Sequence, residues 1–246
     1  SVLMLQNLAG SYAALRKYKN VEAIITKTEN LDSETAKITY GIRSVYLATG
    51  DALQAIEFLN NNNRYDHLKL IYHSILKNYQ DIKQILSDNK SEFFTNVQHY
   101  YPRSYYEGII NDGLGNKVDS KKYFNNAIVH LKEKINEYPD DPRFYSTLGL
   151  TYARLGKNKE AIEAGLKAVN ILPLSRDAMF GTIYEKSLSS IYSIIGEKNN
   201  ALEKIEYLSV IPNGFHYGEL LSDPVFDSIR NEPRFQRILN NLKPKS

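Results

Sequence analysis

Residues 141–173, DPRFYSTLGLTYARLGKNKEAIEAGLKAVNILP, constrain the fold more than any other part of the chain. They spell two amphipathic helices joined by a tight turn. Tyr145, Leu148, Gly149 and Tyr152 recur at helical spacing and form one apolar or small face. Ala161, Ile162, Leu166, Ala168 and Val169 form a matching face on the second segment. Gly149 and Ala161 are small where two helix backbones must approach closely. Gly156 supplies the turn, and Pro173 stops the second helix.

Those positions carry a family resemblance. The stretch resembles a tetratricopeptide repeat, a pattern of about 34 residues that runs aromatic, Leu-Gly, Tyr, turn Gly, Ala, aromatic, Ala, Pro. Tyr145, Leu148, Gly149, Tyr152, Gly156, Ala161, Ala168 and Pro173 stand at the family's spacing. Gly165 departs, standing where the second helix should carry an aromatic residue, so packing at that point must differ. The resemblance implies an all-α fold, a right-handed α-solenoid of antiparallel helix pairs with a concave inner face.

Composition narrows the function. The chain has 246 residues, of which 42% are hydrophobic and 24% charged, ordinary for a globular protein with a buried core. No apolar run approaches the roughly 18 residues of a membrane span. There is no cysteine, which excludes disulfides, thiolate nucleophiles and Cys-ligated metals. A net charge of +3 is too balanced to argue for nucleic acid. The opening SVLMLQNLAGSY lacks a basic leader and a small-residue cleavage site. Together these lead to an expected cytoplasmic location, with the periplasm left open. Because the chain opens on Ser1, it is expected to be a processed product or a piece of something longer.

The rest of the chain reads as one array over 1–246, with degenerate repeats at 1–90, clearer repeats at 101–212 and capping helices at 213–246. Leu8, Ala9 and Tyr12 fall at the Leu-Gly-x-x-Tyr spacing, but Arg16 and Val21 stand where the turn Gly and the small contact residue belong. Asp32 or Ser33 could cap a helix over 35–48, and Tyr46, Gly50 and Ala55 match the family. Asn60 to Asn63 form a stop. Residues 65–86 read as a helix pair without a turn Gly, Lys77-Asn78 taking its place. Gly108, Gly115, Phe124 and Ala127 mark the next repeat. Its second helix runs long, with Phe124, Ile128, Leu131, Ile135 and Tyr138 on one face. Leu188, Ser189, Tyr192, Gly196 and Ala201 mark another, whose first helix is expected to start near Asp177.

Catalytic chemistry finds no support. GLGNK at 113–117 lacks the ending of a phosphate loop and falls on a repeat turn. The histidines are scattered, with no HExxH, and read as surface or interface polarity. No nucleophile–base pair is visible, so no enzyme activity, cofactor or metal is expected. By the family's pattern, first-helix positions line the groove: Tyr40, Ser44, Tyr105, Tyr106, Arg143, Arg154, Lys186 and Ser190, with Ser187 and Ser193 beside them. The clamp that well-known members close on a peptide carboxylate is missing, because Ser146 and Leu150 occupy its first two positions. A groove of tyrosine, serine and isolated cations remains, suited to a protein or peptide partner; several of the tyrosines could equally fill gaps between repeats.

The tail from Tyr217 carries a second resemblance, to the closing segment of repeat arrays in bacterial multi-domain regulators. Leu221, Asp223-Pro224, Phe226, Ile229-Arg230, Pro233-Arg234-Phe235 and Ile238-Leu239 carry it. Two functions are therefore expected. The first is a scaffold that binds a protein or peptide along its concave face. The alternative is a regulatory segment of a bacterial signalling or transcription regulator, contacting an upstream domain of its own chain. In either case one or two short helices of the tail should fold back onto Tyr192, Leu202 and Ile205.

Overall fold

Among the described residues, six tight turns between two helices pass through one residue with a left-handed backbone, and Asn213 in the longer α13–α14 connection shares that conformation. Gly50, Gly115, Gly156 and Gly196 have φ between 70° and 85°, and Arg16 and Lys77 have φ of 57° and 56°. Glycine adopts this conformation without a Cβ penalty, which is why it recurs at four of the six.

The computed structural model describes residues 1–59 and 65–244, so the expected stop at Asn60–Asn63 lies outside the described residues. The fold is all-helical apart from one short ribbon. Helices α1 (Val2–Ala14) and α2 (Tyr18–Glu29) pack together and are followed by α3 (Ser33–Thr39). The helix continues through a π-helical segment, Tyr40–Tyr46, into α4 (Leu47–Thr49), and α5 (Ala52–Glu57) folds back on it. Helices α6 (Asp66–Ile75) and α7 (Tyr79–Asp88) come next. The clearer pairs are α8 (Arg103–Gly113) with α9 (Lys117–Glu137), α10 (Pro142–Arg154) with α11 (Asn158–Ile171), and α12 (Gly181–Ile195) with α13 (Lys198–Val210). The tail forms α14 (Tyr217–Ser222), a 3-10 turn at Pro224–Phe226 and α15 (Pro233–Leu242).

Packing at the central pair follows from its small residues. A β-carbon on Gly149 would lie 3.1 Å from the Ala161 carbonyl and 2.6 Å from Ile191 Cδ1. One on Gly165 would lie 2.8 Å from Ile191 Cδ1 and 2.9 Å from Leu188 Cδ1. Leu188 and Ile191 of α12 thus fill the space where the repeat pattern has an aromatic ring, which accounts for the glycine. The same packing turns Leu166 outward, where it is exposed rather than on the expected apolar face.

One element lies outside the repeat pattern, and two further expectations are corrected. The aromatic stretch before Pro102 is an antiparallel ribbon, β1 (Phe93–Thr95) on β2 (Tyr100–Pro102), with Phe94 opposite Tyr101. Helix α12 starts at Gly181, not near Asp177. The Asp177 carboxylate accepts from the Met179 and Phe180 amides at 2.8 Å and holds the preceding turn. Tyr138 lies beyond the end of α9 and is exposed, while Phe124, Ile128 and Leu131 are buried.

A contiguous core runs from Leu70 through Phe124 and Leu148 to Ile191. A second core joins the tail to α13: Leu202, Ile205 and Leu208 pack with Phe215, Leu220, Phe226, Ile229, Phe235 and Ile238, and Tyr192 flanks them. Phe226 and Phe235 are almost fully buried there. The prolines at 224 and 233 each open a new helical turn at its first position, so the tail can bend around α13 instead of extending away. The tail also meets the start of the chain. The Asn213 amide donates to the Ala14 carbonyl at 2.8 Å, and α14 packs against α4.

Candidate binding surface

Helix α12 carries Lys186 and Ser193, and both side chains bond to the tail; Tyr105 on α8, expected in the groove, is buried in the core among Tyr101, Tyr106 and Phe124. Lys186 Nζ donates to both carboxylate oxygens of Glu219 at 3.0 Å and lies 5.3 Å from the centre of the Phe215 ring. The His216 amide donates to Glu219 Oε2 at 2.8 Å, which ties the same carboxylate to the first turn of α14. Burial pushes the Glu219 carboxyl up, but Lys186, His216 and these hydrogen bonds outweigh it and hold it below the usual range. Further along α12, Ser193 Oγ donates to the Val225 carbonyl at 2.7 Å.

Asp223 sits four residues beyond Glu219 and caps the 3-10 turn, accepting from the Val225 amide at 2.9 Å. Burial pushes its carboxyl up to about 6, against the pull of that bond and of the Arg154 and Arg230 cations. Arg230 ties the turn together by donating to the Leu220, Leu221 and Asp223 carbonyls at 2.6, 2.6 and 2.7 Å. Tyr105 feels the same charges. Burial raises its hydroxyl, Arg154 lowers it and Asp223 raises it again. The tail therefore lies across α12, with Glu219 paired to Lys186 and Asp223 one helical turn further on.

The other residues expected in the groove lie elsewhere. Tyr106 is 2% exposed and belongs to the core, edge-on to Phe94 and Tyr101 with ring centres 5.9 and 5.6 Å away. Its hydroxyl is buried with no hydrogen-bond partner. Ser44 is likewise buried with an unpartnered hydroxyl. The ribbon covers the first of these positions, and α5 folding back on the π-helical segment encloses the second. Tyr40 stands edge-on to Phe58, 5.4 Å between centres, and lines a cavity of about 500 Å³ with Glu22, Thr26 and Lys37. Arg143 lines a different cavity of about 630 Å³ beside Tyr138, Phe180 and Tyr184, and is held bidentately by Asp141 at 2.6 and 3.0 Å. Ser190 donates to the Lys186 carbonyl at 3.2 Å and is half-buried.

Residues that the repeat pattern does not mark complete the site. His216 is 2% exposed, and its Nδ1 shares a hydrogen bond with the Tyr18 hydroxyl at 2.8 Å. Burial drives its imidazole down to about 3, with Lys186, Arg16 and Arg43 acting in the same direction against Glu219. Arg16 donates to the carbonyls of Leu208, Ile211 and Phe215. The only sequence signal for Arg16 is its place at a turn that elsewhere takes glycine. Among the described residues, no cluster of His, Asp or Glu could hold a metal ion, and no helix is long and apolar enough to cross a membrane. Compared with known proteins, the chain matches no protein-family model and no curated protein significantly.

Proposed function

We propose that this chain is a non-catalytic interaction module of the tetratricopeptide type. In this reading it is a right-handed α-solenoid of antiparallel helix pairs that binds a protein or peptide segment on its inner face. The observation that carries the reading is that α12 already meets a peptide segment, the chain's own residues 216–230, through Lys186 and Ser193, with the Arg154 cation of α10 pulling on the Asp223 carboxyl. The recurrent left-handed residue between paired helices supports the repeat architecture. The chemistry of the contacts points to partners that present carboxylates to Arg154 and Lys186 and apolar side chains to the neighbouring tyrosines.

The alternative, a regulatory segment acting on an upstream domain of the same chain, rests on the sequence of the tail. Asp223, Phe226, Arg230 and Phe235 each have a packing or capping role within the tail, so their pattern needs no output domain to explain it, and the binding module is preferred. Selection from a displayed peptide library against the full chain tests the reading. Clones recovered by the wild type should bind the Arg154→Glu variant at least tenfold more weakly. The melting temperature of the Arg154→Glu variant, measured alongside, separates loss of binding from loss of the fold. Equal binding to both proteins would sink the inner-face assignment.

A further inference from the structure

Among the described residues, six tight helix–helix turns pass through a left-handed residue, glycine in four and a long cation in two, while Asn213 adopts the same conformation in the longer α13–α14 connection. A left-handed conformation is unfavourable for a residue with a Cβ, and such outliers persist where the surrounding structure holds them. Arg16 and Lys77 are also the two turn residues whose side chains reach the tail. Arg16 Nη2 donates to the carbonyls of Phe215, Ile211 and Leu208 at 2.8, 3.1 and 3.3 Å, and Nε donates to Phe215 at 3.1 Å. Lys77 Nζ donates to Asp227 at 3.3 Å. Glycine at either turn would fit the backbone better and could make neither contact.

The other contacts described between the first helices and the tail include the Asn213–Ala14 hydrogen bond, the Tyr18–His216 bond, the Tyr46–Ser222 bond and the Gly218 backbone against Tyr46 and Gly50, all polar or backbone. The apolar cluster of the first helices, built on Ala9, Ala13, Val21 and Ile24, shares no residue with the cluster that seats the tail on α13. Separating the first helices from the tail therefore breaks hydrogen bonds without taking apart either core. Elements joined in this way open locally at a free energy below that of global unfolding.

We propose that Arg16, seconded by Lys77, is a latch that ties the start of the chain across the tail. Opening it frees the surface where Tyr46 and Gly50 meet the Gly218 backbone, beside the stretch of tail that Lys186 holds. This deepens the binding-module reading and rests on it, since it adds how the face is regulated. The latch explains why two turns depart from glycine. It also makes access to the Tyr46 surface a conformational step that precedes binding there.

Amide hydrogen exchange on the full chain tests the latch with no partner present, so the result is independent of whether the inner face binds peptides. In the wild type, the Asn213 amide should exchange at least tenfold faster than the Ala161 amide in the central pair, because the joint opens without the core. In Arg16→Gly, whose turn matches the four glycine turns, exchange across 14–18 and 208–218 should rise at least another tenfold while α10 and α11 keep their protection. Lys77→Gly should produce a smaller rise in the same direction around 224–230. Exchange of Asn213 at the same rate as Ala161 in the wild type would overturn the proposal without any variant. So would an Arg16→Gly protein that loses protection in α10 and α11 in step with the joint.

Discussion

The backbone of Gly218 lies against the Tyr46 carbonyl so closely that a β-carbon there would sit 1.8 Å from the oxygen and 2.5 Å from the Gly50 nitrogen. Both neighbours are main chain, so no side chain can rotate away to make room. Gly218→Ala should push α14 off α4 and cost roughly 1–3 kcal/mol, as overpacking does elsewhere. In a chain of this length that corresponds to a fall of about 2–12 °C in melting temperature. An unchanged melting temperature would show that the two backbones are not in contact.

Tyr106 separates a core role from a binding role. Its ring is buried among Phe94, Tyr101 and Tyr105, and its hydroxyl has no hydrogen-bond partner. A buried donor left unmade costs about 1–3 kcal/mol. Tyr106→Phe should therefore keep the fold and raise stability by up to about 1 kcal/mol, the remainder being offset by the small void left behind. Tyr106→Ala should cost about 3–5 kcal/mol, in line with other large aromatic truncations. Paired denaturation curves of the two variants give the answer, and a destabilised phenylalanine variant would mean that the hydroxyl is satisfied after all.

These residues also mark what was legible in the sequence. The helix pairs were, because a turn residue, a close-contact glycine and two apolar faces recur at fixed spacing, as at Gly149, Gly156 and Ala161. Gly165 was visible as a departure, but its cause needed α12, whose Leu188 and Ile191 occupy the space above it. The ribbon was not legible. Its strands have three residues each, and its turn is held by the Asn96 side chain accepting from the Gln98 and His99 amides. The groove position carried over by pattern to Tyr106 lies in the core, because position on a helix does not reveal that a ribbon will cover it. The meeting of the two ends left almost no trace, since Arg16 bonds to carbonyls, which every residue has.

The tail offers a test of its own. Phe226 and Phe235 are 1% and 0% exposed, and they pack with Phe215 and Ile205 over α13. Either one changed to Ala should cost about 3–5 kcal/mol. Because the rings are neighbours, 6.1 Å between centres, the double variant should cost less than the sum of the two single changes. Urea denaturation of the single and double variants measures both effects, and a tail that serves only as a flexible docking peptide would show neither.

Acid should weaken the fold through its buried histidines. Burial pushes His216 down to about 3 and His99 down to about 4, from an ordinary 6.5. Their folded values lie below the unfolded one, so the stability they support is complete above about 6.5 and is lost as pH falls through that value. His73 and His130 shift in the same direction. Asp223 acts oppositely. Its carboxyl is raised from 3.8 to about 6, so its charge costs stability at neutral pH, and protonation below about 6 returns part of it. Glu219 is held below its usual range and contributes a loss only under about 4.5. Between pH 6.5 and 4.5 two histidines therefore oppose one carboxyl. At about 1.4 kcal/mol per unit, His216 and His99 lose about 4 kcal/mol at pH 5 relative to pH 7.5 and Asp223 returns about 1, a net loss of about 3 kcal/mol. His216→Gln, whose amide oxygen can still accept from Tyr18, should remove most of that loss, while Asp223→Asn should steepen it. Melting temperatures at the two pH values decide the matter, and a wild-type value that does not fall on acidification would mean that His216 is not held neutral in the folded chain.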